Sequence, residues 1–499
     1  MPKNNPASFY PKPGRYEAVD VLFFNPPSPD GDLYIRDHNR SGRKSREGYI
    51  WPQTSLAFLA AMIADSQKVD IIDCIAENID WQEAKKIILA KKPKYFVTQV
   101  ISSTLYNDMY GALIAKANGA VTITMGTHVT GLTKETMRDF PCLDYIIRLE
   151  PEYTFKELIE KLETKRNASS VKGIAYRRNG KVFINPDRDY SKNLDFLPIP
   201  LQELLPLKKY AMPFVGSNFT FVLASRGCPY RCIFCRQAVM WHRKVRFRSP
   251  VKIVAELKRL EELGVKSINF QSDTLTVNRK WTVKLCELII REGIKIRWLC
   301  NARCDTVDLQ LLKLMKKAGC WLIGYGIESG SQKILNRCKK DLTLKQVEKA
   351  VLWTKQAGID VWGWFVIGLP GESPTTIRQT INFSKKLPLD LANFAFAAPY
   401  PGTEFYEEVD KKDLLVSHNW EDYDQNYSAV VSYPGLSALQ IEKAIKRATL
   451  EWTLRPGPII WLLKGIKDWY TAKYLLKIAL KHLSWFRHDI RQPARECDN

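Results

Sequence analysis

Ser225-Arg226-Gly227-Cys228-Pro229-Tyr230-Arg231-Cys232-Ile233-Phe234-Cys235 is the stretch on which the reading of the whole chain turns. Its three cysteines keep the spacing CxxxCxxC and follow directly on an apolar run, residues 220–224, that predicts a strand. Thiolates are soft ligands. Three of them on one tight loop can hold three irons of an iron–sulfur cubane, leaving the fourth iron open to the amino and carboxylate groups of a small molecule. Zinc is the rival reading, but zinc prefers four ligands in paired spacings, and no fourth Cys or His stands at a suitable distance in sequence.

Downstream of the triplet, strands are predicted at 220–224, 267–271, 296–300, 322–326, 361–367 and 393–398. Helices fall between them, near 251–263, 279–291, 308–317, 343–356 and 375–386. Six strand–helix units predict a partial (β/α)6 barrel of the TIM type, with its site where the strands run out into loops. Chemistry-bearing residues fall at those ends: Ser272-Asp273, Arg303, Gly326-Ile327-Glu328-Ser329-Gly330, Ile367-Gly368-Leu369-Pro370-Gly371-Glu372 and Pro399-Tyr400-Pro401-Gly402-Thr403. Each alone is ordinary loop chemistry; their placement on successive strands makes them a set. Upstream, strands at 21–24, 69–73, 95–101, 121–125 and 145–149 alternate with helices near 55–65, 81–91 and 107–117. Such alternation implies a parallel sheet covered on both faces. The expected order is a flavodoxin-like, doubly wound α/β domain over 17–165, a linker over 166–213, the barrel over 214–410 and a helical region over 411–499.

A chain of 499 residues is too long for one core, and 45% hydrophobic residues give a globular composition. Eleven scattered cysteines do not make a secreted disulfide scaffold; they suit a reducing compartment. Residues 1–16 are polar and proline-rich, and no apolar run approaches the roughly 20 residues of a spanning helix, so a cytoplasmic protein is expected. The net charge of +22 calls for an acidic partner. One basic run holds Arg36, Arg40, Arg43, Lys44 and Arg46. The other spans 452–491, where Trp452, Trp461, Trp469, Tyr470, Tyr474, Trp485 and Phe486 interleave with Lys464, Lys467, Lys473, Lys477, Lys481 and Arg487. This pattern suits peripheral contact with an anionic membrane, or else a helix packed on the barrel. No nucleic-acid module is recognisable, and no such partner is expected. Cys300 and Cys304 have only Cys320 and Cys338 nearby, so packing is a better reading than a second cluster.

Over about residues 215–410 the motifs, in this order, resemble the radical S-adenosylmethionine (SAM) superfamily. The resemblance implies that Cys228, Cys232 and Cys235 hold a catalytic 4Fe–4S cluster, with Phe234 beside them. It implies that Asp273 takes the SAM amino group, where the cobalamin-carrying branch usually shows two consecutive aspartates. Glu328 and Ser329 match the ribose and carboxylate contacts, and Ile367-Gly368 the turn against the adenine. Arg303 fits either a clamp for the SAM or substrate carboxylate, or a surface ion pair.

The first domain resembles the cobalamin (B12) module of the same superfamily. Asn25-Pro26 closes its first strand; Ser102, Ser103 and Thr104, then Gly126, Thr127 and His128, would line the nucleotide tail. Two departures stand out: Met125 replaces a first glycine, and Leu149 replaces another. The Asp-x-His-x-x-Gly signature is absent, so cobalamin is expected base-off without histidine on cobalt, His128 being a hydrogen-bonding loop residue. A degenerate domain that has lost the cofactor is the alternative. This branch includes cobalamin-dependent methyltransferases and the anaerobic magnesium-protoporphyrin ester cyclase. By resemblance, the expected activity is a 5′-deoxyadenosyl radical opening an unactivated carbon to methylation. The substrate would be small and hydrophobic (a lipid, isoprenoid or tetrapyrrole), with ferredoxin or flavodoxin as electron donor. Radical cyclisation or carbon–carbon rearrangement is the alternative reaction. An iron–sulfur and cobalamin sensor is the non-catalytic one, and intact Asp273, Glu328 and Gly368 weigh against it.

Overall fold

Val21, Leu22, Phe23 and Phe24 offer no polar face, and such a run suits only a strand covered on both sides. In the computed structural model they form β1 (Val21–Asn25), buried throughout. The structure describes residues 9–37, 42–45, 48–212, 216–241, 243–464, 466, 476 and 480. The chain divides into two compact units, one of Met1–Gly42 and Ile50–Tyr210, the other of Arg43–Tyr49 and Ala211–Asn499.

In the first unit, β1 lies parallel between β2 (Val69–Asp73) and β3 (Tyr95–Gln99), followed by β4 (Val121–Met125) and β5 (Tyr145–Ile147). The strand order β2-β1-β3-β4-β5 is doubly wound, and it reverses between β1 and β3. In such sheets ligands bind beyond the carboxyl ends of the strands at that reversal. Two antiparallel strands, β6 (Ile174–Arg178) and β7 (Lys181–Ile184), extend the sheet to seven. The stretch expected as linker therefore carries structure. Its signal was Asn179-Gly180, both at positive φ (50° and 74°), a tight hairpin turn between two short strands.

Two cations of the first basic run, Arg36 and Lys44, are tied into the fold. Arg36 is fully buried and pairs with Asp108 at 2.9 Å, because the loop after β1 folds it inward. Lys44 belongs to the second unit, where its backbone N–H donates to Asp424 and its ammonium lies 4.9 Å from the Tyr427 ring centroid. Arg40 and Arg46 lie outside the described residues.

In the second unit, β8 (Phe219–Leu223), β9 (Ser267–Gln271), β10 (Arg297–Ala302), β11 (Cys320–Glu328), β12 (Asp360–Ile367) and β13 (Leu391–Phe396) pair in parallel and in chain order. The connecting helices are α1 (Pro250–Glu262), α2 (Arg279–Arg291), α3 (Leu309–Lys317), α4 (Leu344–Gln356) and α5 (Pro374–Lys386). Both α4 and α5 open on reciprocal capping boxes, Thr343 with Gln346 and Ser373 with Thr376. These satisfy amide groups that a helix start otherwise leaves bare. The six-unit parallel pattern thus holds.

The basic, aromatic region begins as packing. Helix α6 (Ala438–Thr453) buries Trp452, whose indole donates to the Ser384 carbonyl of α5 at 3.2 Å. Glu451 accepts from Lys385 and Arg447, which hold its carboxyl down to about 2. Trp461, in α7 (Pro456–Lys464), donates to Asp360 at 3.3 Å. Lys467, Trp469, Tyr470, Lys473, Tyr474, Lys477, Lys481, Trp485, Phe486 and Arg487 lie outside the described residues. Among those described, no helix is long and apolar enough to cross a membrane.

Candidate active site

The cysteine loop owes its shape to Gly227, at φ 92°; a Cβ there would lie 1.9 Å from the Lys244 carbonyl oxygen. Only glycine tolerates both the left-handed backbone and so close an approach. The loop is then anchored through the apolar residues between its second and third cysteines. The Ile233 N–H donates to the Cys338 carbonyl, and Ile233 accepts from Phe405 N–H. Ile233 and Phe234 pack with Leu369, Tyr400 and Val431. The three thiols are left half-buried and free of disulfides. Burial pushes all three up, and the neighbouring thiols add to the rise at Cys228 and Cys235. Crowded thiols that resist ionising alone fit a cationic metal centre, which stabilises thiolates as it binds. Among the described residues no three Cys, His, Asp or Glu side chains already stand in metal-binding geometry, so the fit rests on donor chemistry and loop anchoring.

Beyond β9, Asp273 accepts the Gly227 N–H at 2.9 Å, which ties the strand end to the cysteine loop. Thr274 Oγ1 lies 4.0 Å from Cys228 Sγ. Arg303 is neither the open clamp nor the surface ion pair of the sequence reading. It is 5% exposed, grips Asp305 through Nε and Nη2, and donates to the carbonyls of Lys340 and Asp341. Its guanidinium also lies 3.4 Å from the ring centroid of Tyr230. Arg303 is a brace: its Nε and Nη2 donors are used on its own fold, and its flat face supports the cysteine loop.

At the end of β11 the register shifts between Gly326 and Glu328, and Glu328 takes a positive φ of 68°. Non-glycine residues rarely adopt this, and such outliers gather at functional sites. Glu328 accepts from Lys340 Nζ at 2.8 Å. Burial alone would lower the Lys340 ammonium, but Glu328 and Cys232 together hold it above its usual value. Ser329 is fully buried and bonded to Thr380 and the Ser331 N–H, so it shapes the turn. After β12, where Ile367 is buried, Gly368 at φ 96° donates to Glu372, as does Leu369. Burial pushes Glu372 up to about 8 against these two N–H bonds. Tyr433 donates to the Gly368 carbonyl at 2.8 Å. Lys340 and Tyr433 escaped the sequence reading: Lys339-Lys340 reads as solvated charge, and Tyr433 lies in a stretch without periodicity.

In the first unit, Gly126 sits at φ 139°, where a Cβ would lie 2.3 Å from the Val100 carbonyl oxygen. Ser102 Oγ meets His128 Nδ1 at 3.0 Å, and buried Ser103 Oγ has no partner among the described residues. Thr104 donates to Asp108, and Thr127 is buried. Asn25 donates to Asp73, while Arg36 holds the carbonyls of Pro26 and Pro27. These residues stand at the carboxyl ends of β1, β3 and β4. A glycine cradle beside an unsatisfied buried hydroxyl fits a ligand chain passing close to backbone. Leu149 adopts φ 60°, a left-handed backbone that glycine more often supplies.

A six-stranded parallel sheet of strand–helix units, with a cysteine triplet and ligand-ready turns at its strand ends, is the architecture of an iron–sulfur enzyme that binds an adenosyl cofactor. Residues 222–384 match the radical SAM superfamily. The chain is 36% identical over 431 residues to the uncharacterized methyltransferase PH0819 of Pyrococcus horikoshii, covering 86% of this chain and 93% of that protein. It therefore belongs to the radical SAM superfamily, in the family of that protein, and its cofactors include a 4Fe–4S cluster and SAM. It is also 28% identical over 391 residues to the anaerobic magnesium-protoporphyrin IX monomethyl ester cyclase of Rubrivivax gelatinosus, covering 76% of this chain and 70% of that one. The solved radical SAM methyltransferase TsrM of Kitasatospora setae, with cobalamin and a 4Fe–4S cluster bound, shares the fold. Its TM-score is 0.65 at 15% identity, covering 79% of this chain and 78% of that one.

Proposed function

We propose that this radical SAM enzyme is a cobalamin-dependent methyltransferase acting on an unactivated carbon of a small hydrophobic substrate. The observation that carries the reading is the Gly126 cradle beside unsatisfied Ser103, in a doubly wound unit of the chain that also holds the cysteine loop. The methyltransferase names of the PH0819 relative and of TsrM agree with it. When bound, the cluster and SAM supply a carbon-centred radical, and cobalamin supplies the methyl group.

The chain's own residues do the positioning. Cys228, Cys232 and Cys235 would hold the cluster, with Phe234 and Arg303 fixing their loop. Asp273, Glu328, Ser329, Ile367 and Gly368 would frame SAM. Of these, Glu328 needs Lys340 as its partner, and Gly368 needs Glu372 and Tyr433 to hold its turn. Asn25, Pro26, Ser102, Ser103, Thr104, Gly126, Thr127 and His128 would cradle cobalamin, with His128 kept on Ser102 rather than on cobalt. We assign the cobalamin-type domain to about residues 17–165 and the barrel to about 214–410, with ferredoxin or flavodoxin as donor. Radical cyclisation is the second reading, favoured by the cyclase relative. Exposed Leu454, Ile460 and Leu463 at the start of the basic tail support peripheral contact with anionic membrane, where a hydrophobic substrate would be met.

The deciding assay is anaerobic: reconstituted full-length protein, SAM labelled in its methyl group, and a lipid extract. Label in an extractable product together with 5′-deoxyadenosine is expected. Unlabelled product with 5′-deoxyadenosine would favour cyclisation, and protein that folds yet takes up no cobalamin overturns the reading.

A further inference from the structure

Next to the last cysteine of the triplet the fold buries a charge for which the described residues show no carboxylate partner. Arg236 is 5% exposed, and its Nε and Nη1 have no hydrogen-bond partner among the described residues. Three other buried guanidinium groups of this chain do have a carboxylate: Arg36 has Asp108 at 2.9 Å, Arg248 has Glu256 at 2.5 Å and Arg303 has Asp305 at 2.9 Å. What Arg236 does meet is the Tyr400 ring, 4.7 Å from its guanidinium to the centroid. A cation over an aromatic face recovers only part of the lost hydration and leaves the N–H groups unanswered.

Its place in the fold says where an answer would come from. Arg236 leads from the cysteine loop into the short helix Gln237–Trp241. Tyr400 belongs to the loop after β13, and that loop packs on the same helix, Gly402 against Val239. The guanidinium is therefore held between the cysteine loop and the last strand-end loop, at the carboxyl-end face where the SAM-framing turns also lie. A planar fork of this kind matches a carboxylate or phosphate.

We infer that Arg236 is an anion-recognition residue of the active site, taking a carboxylate or phosphate of a bound ligand. Two sources share that chemistry: the carboxylate of SAM and an acidic group on the substrate. In the second case the substrate class narrows to amphiphiles, with an apolar body and an anionic end. The inference rests on the cysteine loop being the SAM site, but not on methyl transfer, and binding alone tests it.

The test uses cluster-reconstituted full-length protein, wild type and Arg236→Met, Arg236→Gln and Arg236→Lys, with cluster absorbance and far-ultraviolet circular dichroism as controls of folding. The probes are SAM, decarboxylated SAM, acetate and inorganic phosphate, the last two with SAM present, read by calorimetric titration. If the source is SAM, Arg236→Met should weaken SAM tenfold or more and leave decarboxylated SAM unchanged. If the source is the substrate, SAM affinity should hold while saturable acetate or phosphate binding is lost. Arg236→Lys, which keeps the charge without the fork, should fall between wild type and Met, and it decides should the neutral variants not fold. Equal affinities for every probe in wild type and variants overturn the inference. So does a lowered cluster reduction potential with ligand binding unchanged, which would assign the charge to the cluster instead.

Discussion

Glu372 shows what a single buried carboxyl can contribute to the site. One of its oxygens accepts from the Gly368 and Leu369 amides, and the other is buried without a partner among the described residues. Unfolded, it titrates near 4.5; folded, burial carries it to about 8. Between those values the folded chain keeps a proton that the unfolded chain has released. Its stabilising effect is therefore complete below the lower value and lost as pH rises through the upper one, on the order of a few kcal/mol in all. Urea unfolding followed by circular dichroism should show stability falling from pH 5 to 8, and Glu372→Gln should flatten that slope. An unchanged slope in the variant would assign the dependence to other groups. The Gly-Leu-Pro-Gly-Glu motif could be read from the sequence; that its glutamate props its own turn could not, because the role depends on burial. Arg303 makes the same point. Its position at a strand end was plain, whereas Tyr230 and the carbonyls of Lys340 and Asp341 meet it only in three dimensions. Arg303→Met should loosen the cysteine loop and lower the iron bound per chain after reconstitution, with Arg303→Lys giving partial recovery. Alanine at Cys228, Cys232 or Cys235 should abolish SAM cleavage, and cleavage surviving in any one of them would refute the cluster assignment.

At the scale of elements, the strand ends and the turns between them carry the argument. The six barrel strands were readable because each is a short apolar run followed by a helix with its own period and cap. The hairpin of β6 and β7 was passed over because Lys181–Ile184 is mostly exposed and its flanks are polar, leaving Asn179-Gly180 as its one clear sign. Two glycines at positive φ now define separate tests of the two units. Gly227→Ala puts a methyl group within 1.9 Å of the Lys244 carbonyl oxygen, so the cysteine loop must move. We expect loss of the cluster absorbance with far-ultraviolet circular dichroism kept. Gly126→Trp drives a larger group toward Val100 and should block cobalamin uptake while leaving the cluster and SAM cleavage intact. Their effects should not cross over. If Gly126→Trp also abolished cluster loading, the two sites would be coupled through folding rather than independent.

At the scale of the whole molecule, one cation of the first basic run is withdrawn from the +22 charge, since Arg36 is buried and paired with Asp108. The described start of the tail falls into two parts. Helix α6 is part of the second unit: Trp452 is bonded to Ser384, Glu451 to Lys385 and Arg447, and Arg455 donates to the Trp452 carbonyl. A cut at 452 would strip this packing and test folding instead of membrane binding. Helix α7 is different in kind, exposing Ile460 and Leu463 by 50% and 62% while Trp461 still reaches Asp360. The informative cut therefore falls after Lys464, where seven tail cations, Lys467, Lys473, Lys477, Lys481, Arg487, Arg491 and Arg495, lie beyond it. Each cation near an anionic bilayer contributes roughly 1 kcal/mol, fading within a Debye length. The full chain is expected to co-sediment with anionic vesicles at low salt and to release as salt is raised. The chain ending at residue 464 should stay in the supernatant yet still cleave SAM, because every cofactor motif and both α6 anchors are retained. Co-sedimentation that survives both the cut and high salt would point to apolar contact through Leu454, Ile460 and Leu463. A full chain that ignores vesicles would make the tail a cap on the barrel and remove the membrane as the place where substrate is met.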